Sequence, residues 1–173
     1  MRLARIQRHA AGARVNGWRY NLDVTLMIIR QALKDDVPAI CLMQQRWLEE
    51  GSAYGFVPDN GEQVEAALGA YFLLAEVDGE VIGFISGSTH TSEGMAVIAA
   101  GESYVEIDNL YVEQKFRRQG VGGELVERLL AQARENGVAH AVLYSAAREI
   151  HSVLKFYERH KFQSWYVQMF QKL

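Results

Sequence analysis

The chain has 173 residues, the size of one domain with a single core, since ~100 to 200 residues usually fold as one unit. Hydrophobic residues make up 49% and charged ones 23%, yet no apolar run reaches the ~18 residues of a membrane span, so a globular protein is expected and no membrane partner. A net charge of −3 argues against a nucleic-acid partner, which needs a basic balance, and the single cysteine, Cys41, excludes an intrachain disulfide and fits a reducing, cytoplasmic setting.

Residues 1–26 stand apart. Arg2, Arg5, Arg8, Arg14 and Arg19 lie there, and no acid precedes Asp23. An organelle-targeting peptide, a flexible basic arm, and translation upstream of a start at Met27 all fit. The expected division is a basic N-terminal extension at 1–26 and a domain at 27–173. "TLMIIRQAL" reads as a strand. "KDDVPAICLMQQRWLEEG" reads as a helix, with Asp35 or Asp36 placed to cap it, Pro38 in its first turn and Gly51 at its end. "SAYGFVPDNGEQVEAALGA" starts as a loop and finishes as a short helix over 62–69. "YFLLAEV" and "EVIGFISGS", joined by Asp78 and Gly79, form a tight hairpin.

A loop through 86–103 then leads to the strand "YVEIDNLYV" and the run "KFRRQGVGGEL". Beyond it a helix extends to Asn136, closed by Gly137, followed by the strand "AHAVLYSA", a helix near 148–159 and a terminal strand within "FQSWYVQMFQKL". Strands alternating with helices imply an α/β mixed sheet with helices on both faces.

The glycine run is the most informative stretch. After it, Leu125, Val126, Leu129, Leu130 and Ala133 recur at helical spacing. The first amides of a helix have no intrahelical acceptor and sit at the positive end of the aligned peptide dipoles, which suits phosphate. Gly120 and Gly122 allow a diphosphate close to the backbone, and Arg117 and Arg118 can add charge from the rim. The plain alternative is a glycine turn with solvated arginines. A phosphate-loop NTPase fits poorly because no G-K-[S/T] follows, and a dinucleotide fold fits poorly because its glycines open the first strand-helix unit.

"RRQGVG" resembles the R/Q-x-x-G-x-G/A signature of the GNAT superfamily of N-acetyltransferases, with Arg117, Gly120 and Gly122 at its fixed positions. "EIDNLYVEQKFRRQGVGGELVERLLAQA" is similar to that family's strand, loop and helix segment, and "LKFYERHKF" to its later helix carrying a Phe-Tyr pair. The resemblance covers most of 27–173. It implies a single-domain, mostly antiparallel central sheet flanked by helices, acetyl-CoA or a related acyl-CoA as cosubstrate, and transfer of the acyl group to a primary amine.

The resemblance places the pyrophosphate on the amides of Arg118, Gln119, Gly120, Val121, Gly122 and Gly123, and the pantetheine arm along Leu110, Tyr111 and Val112. Pairing of its amides with a strand edge is physically reasonable. The attacking amine, with an ordinary pKa of about 10.4, must lose a proton first. Glu106 stands where some members carry a glutamate base, with Asp108 a same-face competitor; an ordinary solvent-facing strand residue is the plain reading of Glu106. Tyr157 matches the tyrosine that donates to the leaving sulfur, against a plain role in the core. Two positions depart from the family pattern: Ile150, where an asparagine often contacts CoA, and Lys161, where a glycine commonly precedes the phenylalanine.

No metal is expected, because His9, His90, His140, His151 and His160 show no ligand spacing, and Cys41 reads as a core residue. Trp47, Glu49, Glu50, Tyr54, Phe56 and Asp59 border the acceptor in the family and would suit a cationic amine, beside the plainer reading of a solvated loop with a few core anchors. A noncatalytic acyl-CoA-binding or protein-interaction domain of the same fold is the alternative function, and a homodimer stays open.

Overall fold

The computed structural model describes residues 17–22 and 25–172, with side chains from Leu26 onward. One six-stranded sheet runs in chain order: β1 (Gly17–Leu22), β2 (Thr25–Gln31), β3 (Leu73–Val77), β4 (Glu80–Thr91), β5 (Ser103–Val112) and β6 (His140–Leu143). Neighbours are antiparallel except β5 and β6, which run parallel. Helices α1 (Val37–Glu50) and α2 (Gly61–Ala67) pack on one face, and α3 (Val121–Glu135) covers the other. The fourth helix, α4 (Ile150–Arg159), rests beside the start of α3.

Alternation along the strands feeds two cores. Met27, Ile29, Leu73, Ile85, Val105 and Ile107 face α3, which answers with Leu125, Val126, Leu129 and Ala133. Leu74, Phe84 and Tyr111 point the other way and meet Ile40, Met43 and Val64. Full burial of each aliphatic side chain contributes about 1.5–3 kcal/mol, so these two layers fix the sheet between its helices. Cys41 is half-buried in the second core, as expected.

The Asp78–Gly79 turn has positive φ at both residues, which twists in the sense a two-residue hairpin requires. The expected helix N-cap is corrected. Neither Asp35 nor Asp36 caps α1 through its side chain; Asp36 instead accepts from the Leu33 amide at 2.8 Å and grips Arg30 with both oxygens, at 2.6 and 2.7 Å. Arg30 also reaches Glu76 at 2.8 Å, so the pair belongs to a part-buried triad.

The loop expected from residue 86 is also corrected, because β4 continues to Thr91. Gly87 suggests a break in the sequence, but in the sheet it serves close approach: a Cβ there would lie 2.7 Å from the Glu106 carbonyl oxygen. A bulge opposite Ser86 and Gly87 leaves Asp108 without a partner in the register.

The terminal strand expected within 162–173 does not form over the described residues. After α4 the chain finds no neighbouring strand among the described residues. Trp165, Tyr166, Val167, Met169 and Phe170 stay exposed, so neither face of the segment gains the burial that would organise it. At the other end, β1 pairs with β2 from Gly17 to Leu22, inside the stretch assigned to the N-terminal extension.

Candidate functional site

The run Arg117–Gly123 forms a turn that enters α3 with Gly120 at the N-cap. Gly120 has φ +91° and Arg118 has φ +63°, and this backbone path leaves the amides of residues 118–123 with no protein acceptor among the described residues. The first return bond of the helix comes only at Glu124, whose amide donates to the Gly120 carbonyl at 3.0 Å. Six consecutive donors therefore gather at the positive end of a 15-residue helix. That donor set fits a diphosphate.

The two arginines divide. Arg117 turns inward: its Nε donates to the Val112 carbonyl at 2.7 Å, one terminal nitrogen donates to both Glu50 oxygens at 2.8 and 2.7 Å, and its guanidinium lies 5.3 Å from the Tyr111 ring centre. The Tyr111 hydroxyl donates to the same Glu50 at 2.9 Å. Arg117 thus anchors the loop, and Arg118 is left as the rim cation. Glu50, a candidate for the acceptor side by its place in the sequence, is committed to this network. Gln119 Nε2 closes the turn onto the Lys115 carbonyl at 2.9 Å.

Beside the loop, β5 has an open edge. β6 pairs only with Tyr104–Ile107, so Leu110, Tyr111 and Val112 have β4 on one side and no described strand on the other. Leu110 and Val112 join Phe156 and Tyr157 at the margin of the core under α3. Phe156 packs against the loop, 3.6 Å from where a Gly122 Cβ would stand. Tyr157 is wedged edge-on between Phe156 and Phe162, at 4.9 and 5.4 Å between ring centres. Desolvation pushes its phenol up to about 12, and the hydroxyl has no protein partner among the described residues.

Lys161 leaves the helix by the path a glycine would take. Its φ is +68°, its amide donates to the Glu158 carbonyl at 2.9 Å, and the Phe162 amide donates to the Tyr157 carbonyl at 3.1 Å. These two bonds make a Schellman cap, with Phe162 against Tyr157 as its apolar contact. Ile150 opens α4, where Glu149 provides no side-chain cap.

On the face of the sheet toward α1, β4 and β5 carry the acidic cluster. Glu106 stands opposite Ser88, and the Ser88 hydroxyl donates to Asp108 Oδ1 at 3.2 Å, so both carboxylates share this face. Glu106 has no hydrogen bond or ion pair among the described residues. Desolvation raises the Asp108 carboxyl above its ordinary range, partly offset by Ser88 and His90. Asp59 is held to α1 by Gln44, whose amide group bonds the Asp59 carboxylate at 3.1 Å and the Asp59 N–H at 2.6 Å. Trp47 stacks on Phe56 at 4.2 Å, and Arg148 lies over Tyr54 at 4.3 Å, closing the α1–α2 loop against the segment after β6.

Sequence reasoning misses Ser88 and His90 as members of this cluster. The period-two pattern of "SGSTH" reveals them only when the strand is carried through to Thr91. Among the described residues, no group of three or more His, Cys, Asp or Glu is arranged to hold a metal ion, and no helix is long and apolar enough to cross a membrane.

Comparison with known proteins bears on the family and the fold. Residues 30–162 match the model of the acetyltransferase (GNAT) family. An N-alpha-acetyltransferase of Sulfurisphaera tokodaii is 29% identical over 112 residues, which is 62% of this chain and 62% of that protein. The match thus spans about three fifths of that relative's length. Ribosomal-protein-alanine N-acetyltransferase from Brucella melitensis biovar Abortus 2308 shares the fold, with TM-score 0.64 and 19% identity over 85% of this chain and 99% of that one. A predicted acetyltransferase with acetyl-CoA from Clostridium acetobutylicum does so with TM-score 0.63 and 18% identity, over 84% and 96% of the two chains.

Proposed function

The chain belongs to the GNAT family of acetyltransferases, and from that premise we propose that it transfers an acetyl group from acetyl-CoA to a primary amine of a small molecule or peptide. The observation that carries this reading is the set of unpaired amides at residues 118–123, set beside the open edge of β5. The amides and Arg118 suit a pyrophosphate, and the edge at Leu110, Tyr111 and Val112 suits the amide groups of a pantetheine arm, with the Val112 carbonyl already accepting from Arg117. When bound, acetyl-CoA supplies an activated thioester.

The chain's own residues would move two protons. Glu106, whose carboxylate has no competing partner among the described residues, accepts the proton of the attacking amine directly or through water, and Asp108 is the neighbouring candidate. Tyr157, with its phenol near 12, stays protonated at neutral pH and can donate to the departing sulfur. The acyl carbon passes directly from sulfur to nitrogen, so no protein nucleophile is required. The peptide-directed names of two similar proteins favour testing peptide N-termini alongside small amines.

The test is release of free thiol from acetyl-CoA across a panel of primary amines, paired with calorimetric CoA binding to Gly120→Val. A branched residue cannot hold φ +91° without strain, so CoA affinity should fall at least tenfold, or about 1.4 kcal/mol. Tight acetyl-CoA binding with no acylation of any amine would leave a binding domain, and undiminished affinity in a folded Gly120→Val would remove the loop from the site.

A further inference from the structure

Toward the β4–β5 connection, on the face that carries Glu106, an open cavity of about 380 Å³ is lined by His90, Thr91, Glu93, Gly94, Met95 and Tyr104. His90 pairs with Tyr104 and Ser88 with Glu106, so the cavity begins two residues along the same strands from the candidate base. Its walls are fixed. Ser92 is buried, donating to the Ile98 carbonyl at 2.9 Å and accepting from the Gly94 and Met95 amides at 3.1 and 3.2 Å, while Ile98, Met95, Tyr104 and Val142 pack together.

The His90 ring is also held. It stacks on Tyr104 at 5.3 Å, and its Nε2 lies 2.9 Å from Ser88 Oγ. When Asp108 is ionised, the single proton of Ser88 goes to it, and a hydrogen on His90 Nε2 then completes the chain by donating to Ser88. One chain of bonds, Asp108 to Ser88 to His90, therefore orients the aromatic platform from the acidic cluster. Glu93, on the cavity wall, has no hydrogen bond or ion pair among the described residues. A carboxylate without a partner, two stacked rings and a methionine sulfur form a surface that attracts an organic cation and disfavours an anion.

We propose that this cavity is a second subsite of the acceptor, binding a positively charged group carried by the same molecule about 7 Å or somewhat more from the amine that is acetylated. The near wall of the cavity, at Tyr104, lies two strand residues from Glu106, about 3.4 Å each, and Glu93 lies beyond it, past the end of β4, which makes about 7 Å the lower bound. The substrate class is then a diamine, or an amine whose body bears a second cation at that reach. This rests on the acetyltransferase reading, because the first amine is placed at Glu106 by that chemistry.

The test is calorimetric titration of the full chain, saturated with CoA so that no turnover occurs, with pentane-1,5-diamine and with pentylamine. The diamine should bind at least tenfold tighter, and Glu93→Gln should reduce that ratio below threefold. Equal affinities in the wild type, absence of binding by both, or a preference that survives Glu93→Gln would overturn the subsite. Thiol release from acetyl-CoA with the same two amines reports on the parent reading separately. A diamine preference in binding, lost in Glu93→Gln, would support the subsite even if neither amine were acetylated, and that failure of turnover would count against the acetyltransferase reading alone.

Discussion

Replacing Lys161 by glycine should stabilise the protein, although it removes a side chain. Lys161 sits at φ +68° to close α4, a conformation that costs an L residue roughly 1–2 kcal/mol because Cβ crowds the following carbonyl. Glycine relieves that strain but gives the unfolded chain more freedom, which returns about 0.5–1 kcal/mol. The Lys161 side chain is exposed and has no partner among the described residues, so little else is lost. The net gain is about 0–1.5 kcal/mol, centred at about 0.75, where it raises Tm by roughly 1–3 °C for a domain of this size. Urea unfolding with an unchanged m-value is the cleaner assay. Lys161→Pro supplies the opposite sign, since it fixes φ near −65° and deletes the N–H that bonds Glu158. A drop in midpoint for Lys161→Gly would refute the strain argument, and with it the view that this cap, through Phe162, holds Tyr157 in place.

Three further outcomes are expected. Tyr157→Phe should leave urea stability within about 0.5 kcal/mol, because its hydroxyl bonds no protein group among the described residues, while lowering the acetyl-transfer rate ~10² to 10⁴-fold if that hydroxyl is the acid; full activity would remove the role. Arg30 holds the Asp36 carboxyl below its ordinary value, so that contribution is complete above the unfolded pKa near 3.9 and is lost as pH falls through the lower folded value. Asp36→Asn should therefore cost roughly 1–2 kcal/mol at pH 7, because Arg30 keeps Glu76 as a partner, and flatten the acid limb of a stability-pH curve, and an unchanged limb would contradict the assignment. We propose that the folded unit begins at β1, so deleting residues 1–24 should bare the edge of β2, lower Tm and promote aggregation, whereas an unchanged Tm would start the unit at β2.

The elements with strong local signals are legible in the sequence: the Asp78–Gly79 hairpin, the apolar stripe of α3 and its Gly137 stop, the alternation of β5. Each is written in a short window and needs no distant partner. Boundaries that depend on other parts of the chain are not legible there. Gly87 reads as a loop residue because its purpose, closeness to the Glu106 carbonyl, exists only across the sheet. The apolar tail reads as a strand because side-chain pattern does not reveal whether a neighbour is there to pair. Trp18, Tyr20 and Leu22 alternate as a strand would, but the arginines around them give the stretch the composition of an extension. Lys161 departs from the family pattern in residue type alone, since the backbone follows the glycine path with a lysine in it.

The site shows the same division between local and distant information. The six free amides follow from a glycine turn placed before an amphipathic helix, and both are visible in a short run of sequence. The fate of Arg117 is not, because Glu50 lies 67 residues away. That one carboxylate receives Arg117 from the glycine turn and the Tyr111 hydroxyl from β5, at the last residue of α1. The residue after it begins the α1–α2 loop, which reaches Ala146 and Arg148 beyond β6 through backbone bonds from Tyr54 and to Ser52. A single network therefore ties the turn suited to the donor's phosphates to the loop that borders the acidic face. The two halves of the proposed reaction are positioned against each other through Glu50, a residue that need not touch either substrate, which is why a motif search finds the phosphate turn and passes over the contact that fixes it in place.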